Sequence, residues 1–182
     1  MNAIGIGIGL AMDAAAASAA LGLSSSANVN AAAFRVAVVF GGLQALMPAL
    51  GYGATSLGGD LVERIAGVAP YLAATVFVVL ALKLVKEAFS TEEPAASNTS
   101  WPALLPIGIA TSIDALAIGA AMRLVDEALW PVCLAAGLIT AALSAAALLA
   151  GDALSRNAHS GKVLRLIGAL VLAGLGVQSA LG

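Results

Sequence analysis

The chain has 182 residues, 61% of them hydrophobic and only 10% charged. A soluble domain carries about 25% charged residues, so this chain has more apolar surface than a water-soluble fold of its length can hide. The net charge of −2 and the lack of any basic patch exclude a nucleic-acid binder. What remains is a polytopic integral membrane protein built from hydrophobic transmembrane helices, and the mean hydropathy of +1.02 agrees.

A transmembrane helix needs about 20 predominantly apolar residues. Six segments meet that requirement, near residues 3–23, 32–56, 66–88, 102–123, 128–151 and 163–181. The first carries Asp13 at its centre and has no positive leader, which argues against a cleaved signal peptide. Gly9, Ala16, Ala17 and Ala20 share a helical face with Asp13. The alternation of Gly5, Gly7 and Gly9 reads as packing. Ser24-Ser25-Ser26-Ala27-Asn28 links the first helix to the second.

The second segment holds Gln44 and, four residues on, Pro48. Proline has no N–H, so the Gln44 carbonyl loses its helical partner. Gln44 therefore offers a side-chain oxygen and a backbone oxygen, although a buried glutamine also serves simply to join helices. Gly58-Gly59-Asp60 opens the next link, ahead of the third segment. Residues 90–100, with Glu92, Glu93 and Pro94, read as a flexible linker. Asn98-Thr99-Ser100 matches a glycosylation sequon, with no sign of a secretory route to use it.

The fourth segment has Asp114 at its centre with Thr111 and Ser112 beside it. Ala110, Thr111, Ala117 and Ala121 lie on the same face. The fifth carries Thr140 and Ser144 on one face, where hydroxyls commonly bond back to their own helix. Residues 152–162 form the last polar loop, ahead of the sixth segment. Trp101 and Trp130 read as interfacial anchors. The single cysteine, Cys133, lies in an apolar run, and the single histidine, His159, in a polar stretch, so a Cys/His zinc site is excluded by number.

Arg64 and Arg123 fall on one side of this layout. Arg35, Lys83, Lys86, Arg156, Lys162 and Arg165 fall on the other, which should be cytoplasmic. Both termini then lie outside, periplasmic or extracellular, and the 90–100 linker inside.

The Asp-Ala-x-Ala core at Asp13 recurs at Asp114, an offset of 101 residues. Gly42-Leu43 compares with Gly137-Leu138. The unit is three helices, which predicts an inverted-topology repeat: residues 1–89, the linker 90–100, and residues 101–182. A charge at the bilayer centre costs roughly 2.5–3.5 kcal/mol or more, and no Lys or Arg lies at the depth of either aspartate. A bound cation, protonation or a water-filled cavity must compensate. Two carboxylates with neutral oxygens from Gln44, Thr111 and Ser112 suit Mg, Ca or Mn. Ser18, Thr140 and Ser144 extend the polar path. With no cation bound, two neighbouring buried carboxylates hold a proton, which suggests a proton as counter-ion.

The motifs resemble the MntP-type manganese exporters, a bacterial family within the lysine-exporter-like superfamily. The resemblance rests on Met12-Asp13-Ala14 and Ala17-Ser18, on Phe40-Gly41, Leu46, Pro48, Gly51 and Gly53, and on Gly174-Leu175-Gly176-Val177-Gln178. The most specific stretch is Ala110-Thr111-Ser112-Ile113-Asp114-Ala115-Leu116-Ala117. It implies an inner-membrane Mn²⁺ efflux pump with Asp13 and Asp114 as its essential carboxylates. Ala11, Ala15 and Gln44 stand where the family commonly has Ser, Phe and Glu, and the last difference removes one negative ligand. No cofactor is expected, and no Walker A pattern or nucleophile-and-base set is visible. The rival readings are an exporter of another cation or an amino acid in the same superfamily, and a non-transporting membrane scaffold.

Overall fold

The computed structural model describes residues 2–24, 28–56, 60–89, 98–155 and 158–181, all helical apart from short connections. Ser25, Ser26, Ala27, Gly58, Gly59, Glu92, Glu93, Pro94 and Arg156 lie outside the described residues, as do the side chains of Arg64, Glu87, His159 and Lys162. Seven helices follow in order: α1 (Ala3–Leu23), α2 (Val29–Ser56), α3 (Asp60–Phe89), α4 (Trp101–Ala110), α5 (Ile113–Leu124), α6 (Leu129–Ser155) and α7 (Ala158–Leu181). Side-chain caps open two of them. Asn2 Oδ1 accepts from Gly5 N–H at 3.3 Å, and Asn28 Oδ1 accepts from Ala31 N–H at 3.1 Å.

Among the described residues, three helices are long and apolar enough to cross a bilayer: Ala3–Leu23, Val29–Thr55 and Leu129–Ser155. The pair α4 and α5 makes a fourth if counted as one span, bent by 48°. The chain is thus an all-α, multi-pass membrane protein, with no strand among the described residues.

The segment expected as one helix over 102–123 is broken at Thr111-Ser112. The local chemistry explains the break. Pro106 removes one donor inside α4. The Thr111 hydroxyl bonds the Ile107 and Gly108 carbonyls at 3.0 and 3.2 Å, and the Ser112 hydroxyl bonds the Gly108 carbonyl at 2.7 Å. Hydroxyls on carbonyls of the preceding turn bend helices. A second difference lies at the end of α6. Asp152, expected to begin a polar loop, sits within the helix and is only 5% exposed.

The widest interfaces join α1 to α6, α2 to α6, α3 to α7 and α2 to α5. Each pairs a helix from before residue 90 with one from after residue 100. Among the described residues, α6 occupies the main face of α1. A core of Phe40, Phe77, Leu84, Leu104, Leu148 and Leu172 draws on α2, α3, α4, α6 and α7. Arg165, from α7, donates its Nε–H to the Leu23 carbonyl at 3.3 Å and so caps the end of α1.

Close approaches fix the register. A Cβ on Gly7 would meet Ile139 at 2.9 Å and the Ala135 carbonyl carbon at 3.0 Å, and one on Gly22 would fall on the Leu148 carbonyl oxygen. Hence α1 and α6 run in the same direction. Gly108, 101 residues after Gly7, meets the side chains of Leu43, Phe40 and Val39, and Gly119 meets the Pro48 backbone, so α4 and α5 run along α2. Gly41 and Gly137 approach reciprocally. A Cβ on Gly41 would lie 2.8 Å from the Gly137 oxygen, and one on Gly137 would lie 3.1 Å from the Gly41 oxygen. This crossing of α2 and α6 is antiparallel.

Candidate functional site: two aspartates and the oxygens around them

Asp13 sits in the middle of α1 and is half-buried. Asp114 sits in the first turn of α5, just past the break, and is exposed on the surface of the chain. The break gives Asp114 a setting that Asp13 lacks. The N-terminal end of a helix favours an anion, and Asp114 Oδ1 accepts from the Ala115 N–H at 2.8 Å. The helices of the two aspartates come together around a small apolar cluster of Leu10, Ala115 and Ala136, with Ile6, Met47 and Ile118 against it.

Neither aspartate has an ion pair among the described residues. Arg123 lies 3.9 Å from Asp126, with its guanidinium 5.4 Å from the centre of the Tyr52 ring. No group of three His, Cys, Asp or Glu side chains gathers among the described residues. From the described residues, a cation held here would take the two carboxylates and complete its shell with neutral oxygens.

Those oxygens divide into two kinds. Ser18, Thr111 and Ser112 are buried, but their hydroxyls bond to their own helix, Ser18 to the Ala14 carbonyl at 2.6 Å. They shape backbone before anything else. Gln44, Thr140 and Ser144 are 0% exposed, and Gln44 Oε1, Thr140 Oγ1 and Ser144 Oγ have no hydrogen-bond partner among the described residues. A buried polar atom left unpaired costs about 1–3 kcal/mol. The Gln44 amide donates from Nε2 to the Leu10 carbonyl at 2.5 Å. That bond ties α2 to α1 three residues before Asp13 and leaves Oε1 as a fixed acceptor. Gln44 thus both joins helices and presents a free oxygen.

Some expectations shift. Gly9 contacts nothing within 4 Å of a built Cβ, so it does not mediate packing beside Asp13. The expected back-bonding of Thr140 and Ser144 is not found. Sequence reasoning missed buried Asp152, although Thr140, Ser144, Leu148 and Asp152 continue one helical face at steps of four. An apolar groove of about 680 Å³ between α2 and α6, lined by Phe34, Leu46, Trp130 and Leu134, offers a cation nothing.

Comparison with known proteins adds a family. A family model described as "Putative manganese efflux pump" matches residues 27–179. Among curated relatives, a protein of Methanothermobacter thermautotrophicus named "Putative manganese efflux pump MntP" is 34% identical over 142 residues, covering 75% of each chain. One of the same name from Desulfotalea psychrophila is 29% identical over 149 residues, covering 80% of this chain and 76% of its own. Another, from Saccharophagus degradans, is 39% identical over 119 residues, covering 64% of each. No solved structure matches the chain.

Proposed function

The chain belongs to the manganese efflux pump family, and from that premise we propose that it is a secondary transporter exporting Mn²⁺ across the bacterial inner membrane through Asp13 and Asp114. The observation that carries this reading is the pair itself. One aspartate stands in each half of the chain, 101 residues apart, on helices that share the cluster of Leu10, Ala115 and Ala136, and neither has an ion pair among the described residues. Two carboxylates balance the charge of one divalent cation, and an all-oxygen shell suits Mn²⁺.

In this reading Asp13, Asp114 and Gln44 Oε1 hold the ion, with Thr111 and Ser112 at the break and Ser18, Thr140 and Ser144 along its path. The six apolar segments all span, as two inverted three-helix repeats, 1–89 and 101–182, joined by a cytoplasmic linker at 90–100. The placement of Gly7 against α6 and of Gly108 against α2 supports the repeat, as does the reciprocal approach of Gly41 and Gly137. Rocking of one half against the other exposes the aspartates to each side in turn. The excess of Lys and Arg on one side puts both termini outside. A proton counter-ion supplies the energy, exchanging with Mn²⁺ at the carboxylates.

The test is ⁵⁴Mn²⁺ flux in proteoliposomes under an imposed proton gradient. Wild type moves Mn²⁺, whereas Asp13→Asn and Asp114→Asn insert and fold but lose flux by at least about tenfold, the lower end of what even groups supporting metal ligands contribute. Full flux in either variant would remove the paired-carboxylate site.

A further inference from the structure

Among the described residues, Ser18, Thr55 and Thr75 within helices, and Thr111 and Ser112 at the α4–α5 break, each bond to a carbonyl four residues back, at 2.6 to 3.0 Å. Thr140 and Ser144 do not. They stand one turn apart on α6, both 0% exposed. Back-bonding is the nearest way to satisfy a buried hydroxyl, so two that forgo it on one face point to something else they serve.

The register shows what lies opposite. On α6, Gly7 of α1 meets Ala135 and Ile139, and Gly22 meets Leu148 and Asp152. Asp13, between those two glycines, is therefore level with the turn from Thr140 to Ser144. The other half repeats the arrangement. Gly108 meets Val39, Phe40 and Leu43, and Gly119 meets Pro48. Asp114 is thus level with Gln44, whose Oε1 is also unpartnered. The Gly41–Gly137 approach relates Gln44 to Thr140, since each lies three residues beyond its glycine. Each aspartate is level with neutral oxygens supplied by a helix of the opposite half.

Resting on the transporter reading above, we propose that Thr140 Oγ1 and Ser144 Oγ are ligands to the transported cation on the Asp13 side of the site, and that they set its preference for hard ions. Hydroxyl oxygens are hard donors and favour Mn²⁺ over soft Cd²⁺, whereas a thiol reverses that preference.

The experiment measures equilibrium Mn²⁺ and Cd²⁺ binding to the full chain in nanodiscs, in a Cys133→Ala background. Ser144→Cys, close to the same size, weakens Mn²⁺ and tightens Cd²⁺, moving their ratio by at least about tenfold. Thr140→Val with Ser144→Ala weakens Mn²⁺ by at least about tenfold while raising the melting temperature measured without metal, because two unpaired polar groups are gone. Thr140→Ser with Ser144→Thr keeps both hydroxyls and retains Mn²⁺ binding. Unchanged Mn²⁺ and Cd²⁺ affinities in Ser144→Cys and in the Val/Ala pair would overturn the proposal while leaving the transporter reading intact. A wild-type chain that binds neither metal and moves no Mn²⁺ would overturn that reading, and this proposal with it.

Discussion

Gly119 leaves no space for a side chain. A Cβ there would fall on the Pro48 carbonyl oxygen and lie 2.6 Å from the Pro48 Cα, all of it backbone. Gly119→Ala must push α5 off α2, and overpacking of this kind costs about 1–3 kcal/mol. Thermal unfolding in detergent should show Gly119→Ala melting well below wild type, with Gly9→Ala, which meets nothing, unchanged. At this scale the two aspartates were readable because a charge inside an apolar run stands out. The partner of Gln44 was not readable, because it is the main-chain carbonyl of Leu10, and a carbonyl has no letter in the sequence. The freedom of Thr140 and Ser144 was equally hidden, since it depends on side-chain rotamers.

Among the elements, α1, α2 and α6 follow their apolar segments closely, because some 20 apolar residues in a row leave few other structures available. The break between α4 and α5 escaped the sequence reading because apolar character continues across it. Its signals, Pro106 and the Thr111-Ser112 pair, each occur in unbroken helices as well. Replacing Thr111 with Val and Ser112 with Ala removes the hydroxyl bonds to the Gly108 carbonyl at the bend, and leaves the Ile107 carbonyl only the Thr111 N–H. The expected result is a straighter α4–α5 and slower Mn²⁺ flux from protein that inserts normally. Spin-label distances between Leu105 and Leu124, both exposed, would lengthen if the bend relaxes. An unchanged distance would show that Pro106 and packing hold the bend without the hydroxyls.

For the whole molecule, the layout of positive residues makes a prediction about sidedness. In a Cys133→Ala background, a cysteine at Asn2 should react with a membrane-impermeant maleimide added to intact cells. A cysteine at Asn98 should react only after the membrane is opened. The reverse pattern would invert the proposed orientation and leave the packing untouched.

The interleaving of the halves also bears on how the protein is made. The main partner of α1 is α6, and Gly7 waits for Ala135 and Ile139, more than 100 residues further along the chain. While the ribosome completes the second half, α1 and α2 wait with the faces that α6 will cover against lipid or an insertion factor. Assembly is therefore late and long-range, and quality control has a clear interval in which to act on unfinished chains. If the two halves are produced as separate polypeptides, divided within residues 90–97, each should be degraded when expressed alone and persist when the other is supplied.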